Sequence, residues 1–511
     1  MCGLFFSYNA KADLKELLAL SAIMRHRGPD STGHYFKAPY FLGFNRLSIL
    51  DLSAEADQPF CSRSGKHVAV FNGEIYNYRE LVKKHGMQMR TTGDTELLVE
   101  LYERAGEKML SELNGMFACV ILDTETGALF AARDRLGVKP LYVYERDGTL
   151  AMASEIAPLV DLAGASAIDE IGLRQYKKLR TFFGGHTLFR SISSFPAAHY
   201  YKDGKLTRYW DLPQGDKLPP SDEELLELVT SSIAYRCISD VPVGSFLSGG
   251  LDSSIVTMVA RPSSTWSIGF ADANEFEWAA LVSREIDARH HDILVDDEEF
   301  LSTARQMILT RREPLSVPNE VLLYLMARQM QKQAKVVLCG EGADELFFGY
   351  DRIFRWAAAQ KEFDLVAFDQ HYSYVKGVDL DILESVIEPF VKRNTTPLAI
   401  VAEFFQIAHL HGLLRRLDNS TMLASIEARE PFVDYRLIET MAGVGIDYRM
   451  KDGVVKAPLK RIFSSLLPPA IVSRTKVGFP VPLSRIFNRP DYSAAFDAWF
   501  SFNLETLGIE N

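Results

Sequence analysis

The stretch DLPQGDKLPPSD, residues 211–222, divides this chain into two patterns of hydrophobicity. It is rich in proline and polar residues, which interrupt both helix and strand, and it reads as a linker. Before it, short apolar runs cluster around Gly, Asp and Thr turns: HVAVFNGEIY (67–76), FACVILDTETGALFAARD (117–134) and KPLYVYERDGTLAMASE (139–155). The ETG and RDG within them are hairpin-turn sequences. Helical patterns lie between, DLKELLALSAIMRHRG (13–28) and DTELLVELYERAGEKMLSEL (94–113). A sheet-rich layer with helices against it is expected. After the linker, the apolar runs VPVGSFL (241–247), STWSIGF (264–270) and AKVVLCG (334–340) are separated by helix-like sequence such as VLLYLMARQMQKQ (321–333). Parallel strands joined by helices fit that alternation. From residue 351 the chain reads as mostly helical.

At 511 residues the chain exceeds one ordinary core. Its formal charge of −11 argues against broad nucleic-acid binding through a basic surface, but leaves room for a local anion pocket. No apolar run approaches the roughly 18–20 residues that span a bilayer. Nothing at the N-terminus resembles a signal peptide. The expectation is a cytoplasmic protein with neither nucleic-acid nor membrane partners. Five scattered cysteines without a CxxC give no disulfide framework and no zinc site. Cys61, Cys119 and Cys237 read as buried small residues. His26 reads as structural, and the pair at 290–291 as a strand-edge feature.

Three short segments carry chemistry. FLSGGLDSS (246–254) sits where an apolar run meets a helix. Two glycines let the backbone turn and present its N–H groups, Ser248, Ser253 and Ser254 add hydroxyls, and the helix dipole points into the same space. The loop suits a polyphosphate, with Asp252 on a Mg²⁺. It lacks the Walker A lysine, and for SGG alone a glycine turn capping a helix is the favoured reading. LCGEGADE (338–345) brings Glu341, Asp344 and Glu345 to the same expected sheet edge, where ligands of open α/β sheets bind. The third segment is MCG. Removal of Met1 would leave a thiol and a free α-amine on neighbouring atoms of Cys2, a nucleophile with its own base.

Taken in order, MCG, RHRGPD (25–30), NRLSILDL (45–52), FNGEIYNY (71–78), TGDTE (92–96), LNGMFA (113–118), RDRLGVKPLY (133–142), FLSGGLDSS, CGEGADE and SIEAREPFVD (425–434) resemble the glutamine-dependent asparagine synthetases over most of the chain. The resemblance implies a two-domain α/β protein. Residues 2–210 would be a class II glutamine amidotransferase, an αββα sandwich of the N-terminal-nucleophile hydrolase type. Residues 211–222 would be the linker. Residues 223–511 would be an ATP-pyrophosphatase-type synthetase domain, a parallel sheet with added helices. Cys2 would attack the glutamine side-chain amide and release ammonia, with Asn72 and Gly73 as the oxyanion hole. Arg46, Leu47, Ser48, Ile49, Glu74 and Asp94 would bind glutamine. Ser248, Gly249, Gly250 and Ser253 would hold the pyrophosphate part of ATP, and Leu247, Ile268, Cys339 and Gly340 the rest of the nucleotide. Asp252 and Asp344 would take Mg²⁺. Glu341 would serve the acyl-adenylate and ammonia steps, and Lys456 would steady the phosphate charge. Free ammonia implies an internal tunnel.

The implied reaction makes asparagine from aspartate, glutamine and ATP, and leaves a homodimer open. One region departs from the pattern: SVPNEV (316–321) replaces a Thr-Pro signature, Cys339 stands for Ser, Phe348 for Gly and Asn419 for Arg. This motivates an alternative, the same chemistry on another carboxylate such as a sugar uronic acid in surface polysaccharide biosynthesis. A ring-closing synthetase of the β-lactam type tends to lack the N-terminal Cys. A non-enzymatic sensor would not need nucleophile, phosphate loop and acidic loop together.

Overall fold

The computed structural model describes residues 2–164, 167–475 and 480–509. In the first half, two six-stranded antiparallel sheets stack face to face. One has Gly3–Tyr8 between Tyr40–Arg46 and Thr149–Ala153. The other pairs His67–Ile75 with Gly115–Asp123. Side chains alternate along a strand, and here both faces are covered. Leu4 and Phe6 meet Val68 and Val70 between the sheets. Phe5 packs outward with Leu17 of the helix Leu14–Ala22, and Ala69 and Phe71 pack outward with the helix Asp94–Ala105. The layers are therefore helix, sheet, sheet, helix. Cys2 and Asn72 share the parity of the residues between the sheets, which brings them together at one end of the sandwich.

The second half is built on a five-stranded parallel sheet in the order Arg289–Leu294, Ser264–Gly269, Val243–Phe246, Val336–Leu338, Glu427–Arg429. Helices cover both faces. The chain steps to one side of Val243–Phe246 and later returns on its other side, so a crevice opens at the strand ends between it and Val336–Leu338. Both chemistry-bearing loops leave from these two strands. The helix Asp222–Arg236 begins within the proline-rich stretch, because Ser221 and Glu224 form a capping box there.

The region after 351 is mostly helical as expected, with one strand in it, and two expectations are corrected. The region after 351 contains the edge strand Glu427–Arg429; it is three residues long and its charged ends are fully buried, so no apolar pattern marks it. Cys61 is exposed, because the two-residue strand Phe60–Cys61 at a sheet edge turns Phe60 inward and Cys61 out. The helical run Pro397–Met422 is long and apolar enough to cross a bilayer by length and composition. Its most apolar window is 56% buried inside the protein, and it carries Asp418 into the seam between the halves.

That seam is charged as well as apolar. Leu47 and Ile49 pack against Val336 and Met422. Arg27 joins Glu155 at 3.1 Å to Asp418 at 2.9 Å, and Lys139 meets Asp418 at 3.2 Å. Arg429 reaches Glu74 at 3.2 Å, and Asn114 Nδ2 donates to Asp434 at 3.3 Å. Burial opposes ionisation of Glu155, but His26 and Arg27 outweigh it and hold the carboxyl at about 2. A depressed carboxyl pKa stabilises fully above the ordinary value of 4.5, and that stability is lost as pH falls toward 2. We expect thermal melts to lose about 3 kcal/mol over that window from this group. Glu155→Gln should flatten the loss.

Candidate functional site

At the end of the sandwich the Cys2 backbone nitrogen donates to Asn72 Oδ1 at 2.9 Å. Asn72 Nδ2 donates to Ser154 Oγ at 3.4 Å, and Ser154 Oγ accepts from Leu4 N at 3.1 Å. Asn72 is fully buried and Cys2 nearly so. Burial pushes the Cys2 thiol up, while the Leu47 backbone and the Arg46 charge pull it down. A Cβ on Gly73 would lie 2.1 Å from Met116 O, so only glycine lets these paired strands approach there. Asp94 opens the helix Asp94–Ala105, and its carboxylate accepts from Ile75 N at 2.7 Å. Burial drives its pKa up to about 6 against that bond. Arg46 spends its terminal nitrogens on the following turn, donating to Ser53 O at 2.8 Å and Asp57 at 2.7 Å and to the carbonyls of Leu50 and Asp51. Ser48 N donates to Asp30 at 2.7 Å. Leu47 and Ile49 turn their side chains to the seam. Asn72→Ala should lower glutamine cleavage by about 10²–10³, the usual effect of losing one oxyanion donor, read as glutamate release.

The crevice in the second half holds a cavity of about 800 Å³, inside the range of whole-ligand sites. It collects Leu247, Ser248, Gly250, Asp252, Ser253 and Ile268 from one side, and Cys339, Gly340, Glu341, Asp344 and Lys456 from the other. Gly249 is the exception. It takes φ 68, and a Cβ there would stand 2.4 Å from Trp278 Cβ, so its part is to make the turn. Ser248 Oγ lies 3.1 Å from Ser253 Oγ and accepts from Gly250 N at 3.2 Å. A Cβ on Gly340 would meet Asp252 Cβ and Ser253 N at 2.9 Å, so glycine brings the acidic loop onto the phosphate loop.

Lys456 Nζ sits between the two acids, 2.5 Å from Asp252 and 2.7 Å from Asp344. Burial works against its charge, and the two carboxylates hold it protonated all the same. Its backbone is left-handed, φ 54, at the start of the helix Ala457–Phe463. Such strain in a non-glycine residue marks a position fixed by its surroundings. Burial raises Glu341, with Asp344 adding to it and Arg416 opposing. Glu345 is raised to about 7 by burial and by Asp344.

Two carboxylates converging on one point are hard oxygen donors suited to Mg²⁺. Among the described residues no group of three or more His, Cys, Asp or Glu forms a full cage. This suits a metal held by one or two carboxylates with substrate phosphates completing it.

Two arginines were not marked by the sequence. Arg474 donates to the carbonyls of Ser248 at 3.3 Å and Gly249 at 3.1 Å, pairs with Glu275, and lies over the Trp278 ring. Arg429 ties the acidic edge strand to Glu74. The first lies in sequence with no motif. The second stood inside SIEAREPFVD, a matching motif without an assigned role.

The family models and the curated relatives cover both halves of the chain. The family model described as asparagine synthase matches residues 224–501, and that of a glutamine amidotransferase domain matches residues 1–210. The chain is 28% identical to the glutamine-hydrolyzing asparagine synthetase 1 of Bacillus subtilis (strain 168), over 94% of this chain and 87% of that protein. It is 30% identical to the glutamine-hydrolyzing asparagine synthetase B of Escherichia coli (strain K12), over 94% and 82%. It is 28% identical to a glutamine-hydrolyzing asparagine synthetase of Arabidopsis thaliana, over 88% and 72%. With a model covering more than half of it and relatives spanning nearly all of it, the chain belongs to the asparagine synthase family, its synthase part joined behind a glutamine amidotransferase domain.

Proposed function

We propose that this protein is a glutamine-dependent ligase that uses ATP to amidate a carboxylic acid. Residues 2–210 act as the glutaminase and 223–511 as the synthetase. The observation that carries the reading is the pairing, across one buried seam, of Cys2 beside Asn72 with a cavity lined by a phosphate loop and an acidic loop.

In the first half Met1 is removed, and the Cys2 nitrogen becomes an amine already held by Asn72. That amine takes the thiol proton, and the sulfur attacks the glutamine amide carbon. The Asn72 amide and the Gly73 N–H face the developing oxyanion. Ammonia leaves as the proton returns to nitrogen, and water then frees glutamate from the thioester. Glu74 and Asp94 recognise the charged amino end of glutamine, and Arg46 serves by tying down the turn that carries Leu47, Ser48 and Ile49.

In the second half Ser248, Gly250 and Ser253 hold the leaving pyrophosphate on the turn that Gly249 makes, and Leu247, Ile268, Cys339 and Gly340 hold the nucleotide. Asp252 and Asp344 would hold Mg²⁺, which when bound neutralises phosphate charge. An acceptor carboxylate oxygen bonds to the α-phosphorus of ATP and pyrophosphate departs. Ammonia then attacks the acyl carbon, AMP leaves, and Glu341 accepts the proton that nitrogen loses. Lys456 steadies the phosphate charge. ATP and glutamine as substrates favour a cytoplasmic site.

Aspartate is the acceptor the relatives' names support. One observation favours a second reading, a larger acid such as a sugar uronic acid: a further cavity adjoins the synthetase cavity. Pyrophosphate release from MgATP and glutamine, with and without aspartate, tests the first reading, with mass spectrometry for asparagine. Release that aspartate stimulates, with asparagine formed, supports it. Glutamine cleavage that aspartate leaves unchanged moves the acceptor elsewhere.

A further inference from the structure

The phosphate loop is held from behind by a residue far outside it. Ser248 and Gly249 turn their carbonyl oxygens to one side, where Arg474 Nη1 donates to both, at 3.3 Å and 3.1 Å. The next carbonyl, that of Gly250, is taken by Ser254 N at 3.0 Å, the first hydrogen bond of the helix Leu251–Ala260. In a trans peptide unit the C=O and the N–H point in opposite directions. With both carbonyls drawn to Arg474, the N–H groups of Gly249 and Gly250 turn the other way. There Gly250 N meets Ser248 Oγ at 3.2 Å, and both residues line the cavity. The helix begins at Gly250 without a side-chain cap, so its first N–H groups add to the same set. Successive N–H groups facing one way form a nest for an anion.

Arg474 is itself fixed on several sides. Its Nη2 pairs with Glu275, and its guanidinium lies 4.6 Å from the centre of the Trp278 ring. The side chains of the pair are only 9% and 10% exposed. Arg474 directly follows the helix Pro469–Ser473, whose Ile471 shares a core cluster with Leu247 and Ile255 on either side of the loop. Loop and arginine therefore stand on one foundation. The task suits a guanidinium alone. Its edge carries donors in a fixed fork for two carbonyls and a carboxylate, while its flat face rests on an aromatic ring. A lysine ammonium has the charge but neither the fork nor the face.

Building on the amidotransferase reading, we propose that Arg474 is a positioning residue for the polyphosphate of ATP: it holds the Ser248 and Gly249 carbonyls away from the phosphates and so keeps the loop's N–H groups facing them. Two adjacent glycines adopt either backbone sense at little cost. Without the arginine the peptide units of the turn are free to reverse, and a reversed unit sets a carbonyl oxygen against an anion. The adenosine end, held by Leu247, Ile268 and Cys339, does not draw on this turn.

The test measures binding, so it requires no acceptor acid. The full-length protein is titrated calorimetrically with AMP and, in the presence of Mg²⁺, with α,β-methylene-ATP, which cannot release pyrophosphate. The parent protein is expected to bind the methylene analogue more tightly than AMP. Arg474→Met should raise the Kd of the analogue at least about tenfold and leave that of AMP within about twofold. Arg474→Lys keeps the charge without the fork and should retain most of the defect. Glutamate release from glutamine should stay unchanged in both. Where the methionine variant loses both ligands, the lysine variant decides by the same comparison. Loss of both ligands alike in the two variants makes Arg474 a general support of the fold and overturns the proposal. So does an analogue Kd that neither variant moves, and so does full recovery with lysine, which reduces the residue to a bare charge. A parent protein that cleaves glutamine yet binds neither nucleotide counts against the synthetase reading beneath the proposal and removes both.

Discussion

Cys2→Ala is expected to lower glutamine-driven amide formation by at least about a thousandfold while ammonium-driven formation continues at the original rate. The first effect follows from losing the sulfur that forms the thioester; without the covalent nucleophile the two-step route through it is closed. The second follows from distance in the fold. Cys2 lies between the antiparallel sheets, and no cavity-lining residue of the synthetase half belongs to its cluster. Cys2 is small and nearly buried, and alanine fits there without strain. Parallel assays with glutamine and with ammonium chloride read the split directly. Equal loss with both nitrogen sources would contradict separable halves.

Lys456→Met should lower pyrophosphate release by about 10²–10³, the scale of losing one charge that faces a transition state, with glutamate release unaffected. It should also cost stability, about 3 kcal/mol, because it leaves Asp252 and Asp344 facing each other without their cation. Here a second readout separates binding from catalysis. If those two acids form the metal site, adding Mg²⁺ should raise the melting temperature of the variant more than that of the parent protein. A variant that melts at the parent temperature, with no response to Mg²⁺, would place the cation elsewhere.

Much of the fold was legible because its strands are buried on both faces and flanked by hairpin turns. The residues of the first half came together for a simple reason: period two puts Cys2 and Asn72 on the same side of opposed sheets. The loops of the second half followed from their place at adjacent strand ends. Other parts left no local trace. Lys456 lies far along the chain, in a left-handed turn that no pattern in its surroundings announces, and only the family resemblance pointed to it. Phe348 looked like a departure where glycine is common. Its φ of 56 explains why glycine suits that place, and its ring compensates by stacking on Phe354 beneath the Arg449 guanidinium. Leu47 and Ile49 matched a substrate motif, yet their side chains serve the seam.

The paired charges between the halves bear on how such a protein can be recombined. Asp418 answers both Arg27 and Lys139, Glu74 answers Arg429, and Asn114 reaches Asp434. Each acid or base has its counterpart in the other half, so neither half is a neutral module. A chimera that took its front half from a relative about 30% identical would have to import these counterparts as a set, or leave charges stranded in a dry joint. The seam thus behaves as a lock cut to one key, and the two activities are inherited together.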